Sequence, residues 1–296
     1  MTDESLIARN GDVRLAGTLW LPDREPRCLI LMHPGSGPSD RDNDVLFPPI
    51  RAALLGAGAA VCSFDKRGVG GSSGSWLDAD IPLQAADLIA GLDAARDRVG
   101  QVPVGLFGHS QGGWVVLEAA AHARAGFVIT NSGPAVTPRV QETYSTGRTL
   151  RRRGWADDAV DTGVDTFSRI LDLLAEPFET GWPHARELPL VDELIGAGVF
   201  VPAEAALWDF ARRLMPYDPG PALDALAMPL LALLGEDDDV VPVDLSATAF
   251  REAVASELLD LRILPLGDHR LQHRGQFVPG YLDAVTGFVT RMGAVG

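Results

Sequence analysis

The sequence predicts an α/β fold in which a doubly wound, mostly parallel sheet carries an inserted helical segment. Short apolar runs alternate with helix-like segments through residues 1–134, and the alternation resumes over residues 227–296. Between them, residues 135–226 are helix-like and punctuated by prolines, with no convincing strand. Repeated strand, helix, strand order favours right-handed crossovers and parallel pairing. We therefore expect a core in two parts, 1–134 and 227–296, interrupted by a helical cap.

Apolar runs bounded by Gly and Pro define the elements of the first part. Residues 12–21 suit one strand of an N-terminal hairpin, and 28–32 is a short apolar strand that ends at a His-Pro-Gly loop. The segment 45–56 suits a helix, and 59–64 suits a buried strand. The remaining elements of this part are an amphipathic helix at 83–98, a strand at 102–107, a helix at 113–121 and a strand at 127–130.

The second part repeats the pattern after an aromatic-rich cap. It is predicted to contain a strand at 228–234, a helix at 245–254, a strand at 258–264 and a closing helix at 277–292. We expect most cap aromatics to pack in its own core and some to line a cleft over the sheet, which favours a substrate with an apolar acyl or aromatic group.

Composition excludes several classes of protein. The 296 residues carry a net charge of −15, which argues against a surface for nucleic acid or anionic membrane. The N-terminus lacks an apolar signal core and no stretch reaches membrane-span length, so we expect a cytoplasmic protein. Cys28 and Cys62 lie in apolar runs and are expected to be buried thiols. Lys66, the single lysine, lies in an Arg/Gly loop and not in an apolar pocket, which argues against Schiff-base chemistry.

The sequence Gly108-His109-Ser110-Gln111-Gly112 is a G-x-S-x-G motif between a predicted strand and a predicted helix. That context indicates a serine held out on a sharp turn, exposed at a helix N-terminus. Residues 70–74 also satisfy the pattern, but no strand leads into them and we expect a flexible loop.

A serine nucleophile needs a base and a group that orients the base. In open α/β sheets such groups lie on loops at the carboxyl ends of strands. One downstream strand ends in four carboxylates at 236–239, and the next is followed by His269, with His273 four residues later. The chain order serine, acid, histidine is the one expected when the serine lies in a G-x-S-x-G turn between a strand and a helix.

At these residues the chain resembles the α/β-hydrolases, in particular the bacterial esterase and dipeptidyl-peptidase-like branch. The resemblance rests on Gly35-Ser36-Gly37-Pro38-x-Asp40-Arg41-Asp42, Phe64-Asp65-Lys66-Arg67-Gly68-x-Gly70-x-Ser72 and Gly108-His109-Ser110-Gln111-Gly112-Gly113. The family pattern Gly-x-x-Asp-x-x-Val-Pro selects Asp238, with Asp237 as the alternative. The resemblance also selects His269, which follows Gly-Asp, over His273. Glu236, Asp237 and Asp239 are expected in solvent or capping the next helix, since unpaired buried charge is costly.

An oxyanion hole needs two backbone N–H groups. Gln111, directly after the serine, is expected to supply one. The other is expected from the loop after strand 28–32, where Pro34 has no N–H to give. We assign it to Ser36, with Gly35 as the alternative.

Other polar residues are given structural roles. His109 is expected to pack beside the turn, and His33 to brace the oxyanion loop. Residues 40, 42 and 44 have the spacing of a calcium loop, but Val45 and Arg51 replace its glycine and glutamate, so we expect a loop braced by Arg41 and no metal. The arginines at 148 and 151–153 could bind an anion, but a solvated helix face is favoured.

Together these features predict a serine hydrolase that cleaves an ester-like bond of a small acyl substrate, of class EC 3.1.1, without cofactor. A thioesterase or a peptidase/amidase could use the same triad. A ligand receptor or silent scaffold on this fold is the alternative from another class. The sequence leaves a homodimer open.

Overall fold

A computed structural model describes residues 2–294 and contains an eight-stranded sheet with the order β1-β2-β4-β3-β5-β6-β7-β8. The strands are β1 (Thr2–Asn10), β2 (Val13–Leu21), β3 (Cys28–His33), β4 (Ala59–Phe64), β5 (Val104–His109), β6 (Phe127–Asn131), β7 (Leu230–Gly235) and β8 (Leu259–Leu264). The strands β1 and β2 are antiparallel to their neighbours, and β4, β3, β5, β6, β7 and β8 pair in parallel. The predicted mostly parallel α/β sheet is confirmed.

Helices connect the parallel strands. They are α1 (Phe47–Gly56), α2 (Ile81–Val99), α3 (Gln111–Ala120), α4 (Pro138–Arg152), α5 (Asp157–Leu173), α6 (Phe178–Arg186), α7 (Val191–Ala197), α8 (Ala205–Leu214), α9 (Gly220–Asp224), α10 (Val243–Ala253) and α11 (Tyr281–Met292). Every residue of β3, β5, β6 and β7 is buried, as expected for strands covered on both faces. Cys28 and Cys62 are buried free thiols, as predicted.

The described chain divides into two compact units. The first consists of the chain up to Ala135, Pro219–Asp238, and the chain from Val243 onward, and it contains the whole sheet. The second consists of Val136–Asp218 with Asp239–Pro242. The helix α9 therefore belongs to the first unit.

The second unit has a hydrophobic core of its own. The Trp208 ring is fully buried there, and its indole N–H donates to the Glu176 carbonyl at 2.9 Å. Phe178 stacks on Trp182 with ring centroids 6.3 Å apart and meets Trp208 edge-on at 6.0 Å. Such aromatic contacts stabilise a core beyond the burial of their area.

The closing helix begins later than the sequence predicts. A short hairpin of β9 (Gln272–His273) and β10 (Gln276–Phe277) precedes it, and α11 starts at Tyr281 after Gly280, which has φ 83°. The prediction of a helix from residue 277 was wrong, because the apolar residues at 277 and 278 belong to the hairpin and the turn after it.

Among the helices of residues 2–294, none combines the length and the apolar composition that a membrane-spanning helix requires.

Candidate active site

Ser110 occupies a sharp turn between β5 and α3. Its backbone has φ 54° and ψ −124°, a positive-φ conformation that is strained for a residue with a side chain. Two glycines make the turn possible: a Cβ on Gly108 would collide with the Gly112 carbonyl, and a Cβ on Gly112 would lie 2.5 Å from the His33 carbonyl oxygen. The turn places Ser110 at the N-terminus of α3, where developing negative charge is stabilised.

The loop after β8 brings His269 to Ser110. His269 Nε2 lies 2.9 Å from Ser110 Oγ. On the other side of the ring, Nδ1 lies 2.9 Å from Asp238 Oδ2 and 3.1 Å from Oδ1. The Asp238 side chain is fully buried, whereas that of His269 is 21% exposed. A carboxylate at Nδ1 favours the tautomer whose Nε2 lone pair faces the serine hydroxyl.

The alternative acid and base lie apart from this arrangement. The Asp237 side chain is exposed. Its backbone N–H donates to the Gly267 carbonyl at 2.9 Å, and this bond joins the loop of Asp238 to the loop of His269. His273 is exposed in β9. The structure thus brings together Ser110, Asp238 and His269, and neither Asp237 nor His273 bonds to the serine within residues 2–294.

Asp239 has ion-pair partners on α4. It lies 3.0 Å from Arg148 Nη2 and 2.7 Å from Arg152 Nη1, all three residues being in the second unit. Asp239 is partly exposed, in keeping with the expectation of a solvated carboxylate, and it has in addition two arginine partners that the sequence did not predict. Sequence spacing gave no signal for the pairing, because residues about ninety positions apart meet there only after folding.

Two further histidines near the turn are buried. The His109 ring packs with its centroid 5.1 Å from that of His269, and its Nδ1 bonds to Asn131. His33 Nε2 lies 3.3 Å from Gln84 Oε1. Burial lowers the pKa of His109 well below its ordinary value and that of His33 to about 3. Both are therefore neutral packing groups at neutral pH.

The loop after β3, which is predicted to supply an oxyanion donor, lies directly against the serine. A Cβ on Gly35 would be 3.4 Å from Ser110 Cβ. The Gly35 N–H donates to Asn43 Oδ1 at 3.3 Å, whereas the N–H of Ser36 has no acceptor among residues 2–294. Gln111 is the first residue of α3, so its N–H has no intrahelical acceptor. This bonding favours Ser36 over Gly35 as the second donor.

Lys66 lies in the predicted loop after β4, but its burial was not foreseen from the sequence. It is 7% exposed, and its Nζ donates to the Gly35 carbonyl at 2.5 Å and to Gln111 Oε1 at 3.0 Å. Burial lowers its pKa to about 7. The Arg/Gly composition of its loop gave no sign of this burial. Its place directly after β4 was the available signal, because side chains at the carboxyl ends of parallel strands converge on the site.

An ion pair holds the Lys66 loop in place. Asp65 accepts hydrogen bonds from Arg41 Nε at 2.9 Å and Nη2 at 2.6 Å, and from the Gly71 N–H at 2.9 Å. The same ion pair ties down the 40–44 segment that contains Arg41, which confirms the prediction of a loop braced by Arg41. Ser72, in the second G-x-S-x-G, donates to the Asp65 carbonyl at 2.8 Å and accepts from the Ala16 N–H. That segment is a loop, as predicted, and its Ser72 side chain is buried and hydrogen-bonded.

The carboxylates of the 40–44 segment bind arginines and backbone. Asp42 pairs with Arg51 at 2.7 Å, and Asp44 pairs with Arg270 at 3.2 Å. The arginine that stands where a calcium loop needs glutamate is thus itself an ion-pair partner.

Comparisons with known proteins identify the family of the chain. The model of the Hydrolase_4 family, described as serine aminopeptidase, S33, matches residues 45–273. In sequence the chain is similar to a monoacylglycerol lipase of Mycolicibacterium smegmatis, with 24% identity over 269 residues and 88% of each chain covered.

Solved structures show the same fold. Est1E from Butyrivibrio proteoclasticus with bound ferulic acid aligns with a TM-score of 0.63 and 18% identity over 97% of this chain and 96% of that one. A proline iminopeptidase of Mycobacterium smegmatis aligns with a TM-score of 0.65 and 16% identity over 99% of both chains. The expected resemblance and fold class are confirmed: the chain belongs to the Hydrolase_4 family and is a serine hydrolase with the α/β-hydrolase fold.

Proposed function

We propose that the chain is an esterase that cleaves small-molecule carboxylic esters through an acyl-enzyme on Ser110. The observation that carries this proposal is the continuous hydrogen-bonded chain from Ser110 Oγ through His269 to Asp238, with 2.9 Å at both contacts. Similarity to a protein named monoacylglycerol lipase supports an ester with an apolar acyl group as the substrate.

In the first half of the reaction Ser110 Oγ attacks the ester carbonyl carbon. Its proton moves to His269 Nε2, and the carbonyl electron pair moves to oxygen. Asp238 stabilises the imidazolium that forms. The N–H groups of Gln111 and Ser36 donate to the new oxyanion, and each such donor is worth about a hundred- to a thousandfold in rate.

Collapse of this intermediate breaks the carbon–oxygen bond to the alcohol. The departing oxygen takes the proton from His269, which leaves an acyl group on Ser110. A water molecule then gives a proton to His269 Nε2 while its oxygen attacks the acyl carbon. Departure of Ser110 Oγ, which regains the proton, releases the acid. The net reaction is ester plus water to acid plus alcohol.

Amide hydrolysis is the second candidate, because the matching family model is described as a serine aminopeptidase. The same histidine would protonate a departing amine. Amides are intrinsically slower to cleave than activated esters, so a direct comparison must use substrates with similar acyl groups.

A substrate panel tests the proposal. It consists of p-nitrophenyl acetate, butyrate and octanoate, a monoacylglycerol, an acyl thioester and proline p-nitroanilide, with Ser110→Ala as the control. We expect the highest kcat/KM on an oxygen ester and a loss of at least about a thousandfold in Ser110→Ala. Turnover of the anilide above every ester would favour the peptidase, and no turnover of any substrate would contradict both.

A further inference from the structure

The Lys66 ammonium contacts Gln111 and the residue before Ser36, the two residues assigned to the oxyanion hole being Gln111 and Ser36. Its Nζ donates to the carbonyl of Gly35, the residue before Ser36, and to the side chain of Gln111. Among the described residues the other contact to that carbonyl is a longer one, from Ser39 Oγ at 3.5 Å. Lys66 is therefore the principal side chain that holds the carbonyl.

Peptide geometry links this contact to the N–H of Ser36. The Gly35 carbonyl and the Ser36 N–H belong to one planar trans peptide, in which the two groups point in opposite directions. A donor that fixes the carbonyl therefore also fixes the direction of the N–H. An oxyanion donor is effective only when it is aimed at the developing charge beforehand.

Gln111 is held from the same nitrogen. Its Oε1 accepts from Lys66 at 3.0 Å, while its Nε2 is buried without a partner among residues 2–294. The hydrogen bond from Lys66 thus orients the side chain of Gln111, which is the first residue of α3.

We propose that Lys66 is a positioning residue of the oxyanion hole, which aligns the Ser36 N–H by holding the Gly35 carbonyl and fixes the Gln111 side chain by holding its amide oxygen. The inference rests on the proposed acyl-transfer function. When Lys66 is protonated, its buried charge also favours negative charge on the substrate oxygen.

The test replaces Lys66 by Met, an unbranched side chain one atom shorter, which removes both the donors and the charge. We expect kcat to fall about 10- to 100-fold, while KM on a p-nitrophenyl ester stays within about threefold. Affinity for a trifluoromethyl ketone, whose adduct with Ser110 carries an oxyanion, should fall by a similar factor. The variant should fold, since replacing a buried charge with an apolar side chain is often neutral for stability.

Arg67→Met is the matched control. Arg67 is the neighbouring cation, half-buried, and pairs with Asp87 at 2.6 Å. Its replacement should lower the melting temperature but leave kcat per folded molecule within about twofold. If Lys66→Met keeps kcat and ketone affinity within about twofold, the proposal is overturned. The proposal is also overturned if Lys66→Met behaves like Arg67→Met, with a lower melting temperature and an unchanged kcat.

The rate of phosphonylation of Ser110 by a fluorophosphonate separates this inference from the proposed function. That reaction also builds negative charge on an oxygen in the hole. If no ester is turned over but wild-type Ser110 reacts, the esterase proposal fails, and the Lys66 inference still predicts an approximately 10-fold or greater fall in labelling rate for Lys66→Met. Equal labelling rates would then overturn the inference alone.

Discussion

Replacing Gly112 by Ala is expected to slow catalysis by moving the oxyanion loop. A Cβ at this position would lie 2.5 Å from the His33 carbonyl oxygen and 2.7 Å from that of Pro34, both of them backbone atoms. Ordinary contact begins at about 3.4 Å, so the His33 carbonyl must retreat by about 0.9 Å. The loop that carries Ser36 begins at these residues, and it must shift with them.

A displacement near 1 Å at a catalytic group costs roughly 100-fold in rate, equivalent to about 2.7 kcal/mol of transition-state stabilisation. We therefore expect Gly112→Ala to lower kcat on a p-nitrophenyl ester by about 100-fold, measured per folded molecule by stopped or continuous absorbance assay. Gly35→Ala, whose nearest contacts would be 3.4 Å, should cost less than about threefold.

Gly56→Ala is the matched control for a glycine-to-alanine change. Its Cβ would meet nothing within 4 Å at the end of α1, so it should leave kcat unchanged and stabilise the helix by roughly 0.5–1 kcal/mol. The steric reasoning is refuted if Gly112→Ala is folded, by circular dichroism and melting temperature, and keeps kcat within about twofold of wild type.

Three further predictions concern single side chains. Asp238→Asn should lower kcat by roughly 10³- to 10⁴-fold because His269 loses the acceptor that fixes its tautomer, and a loss below about tenfold in the ester assay would contradict this role. Burial acts to raise the pKa of Asp65, but hydrogen bonds from Arg41 and the Gly71 N–H outweigh it and lower the pKa. The ionised carboxylate therefore stabilises the fold above about pH 4, and this stabilisation is lost as pH falls through the folded-state pKa. The difference in melting temperature between wild type and Asp65→Asn should accordingly shrink below about pH 4. A difference that stays constant from about pH 7 to about pH 3 would count against this prediction. Tyr281→Phe should keep or raise the melting temperature by about 2–6 °C, because the Tyr281 hydroxyl is buried without a partner among residues 2–294, and a fall of about 3 °C or more would argue the reverse.

The strands and the nucleophile turn were predictable from the sequence because their signals are local. A buried parallel strand is a short apolar run, and the run before Ser110 is followed at once by the G-x-S-x-G glycines. The choice of Asp238 among adjacent carboxylates came from the family pattern, because no local property distinguishes four consecutive acids. In the folded chain the degree of burial distinguishes them, because Asp238 is only 1% exposed.

The parts that were not predictable depend on contacts distant in sequence. The burial of Lys66 requires the β3–α1 loop and the start of α3 to pack around it, 31 and 45 residues away along the chain. Likewise, the preference for Ser36 over Gly35 depends on Asn43, whose side chain occupies the Gly35 N–H. The composition of a loop indicates neither the packing around Lys66 nor the acceptor of the Gly35 N–H.

Covalent mapping tests the central claim, that Ser110 is activated by His269, most directly. The protein is treated with one equivalent of a fluorophosphonate, and the modified residue is identified by intact-mass and peptide mass spectrometry alongside residual esterase activity. We expect one adduct, on Ser110, in proportion to the activity lost, and no rapid labelling of His269→Ala. Labelling of Ser72 or another serine, or undiminished labelling of His269→Ala, would contradict the account.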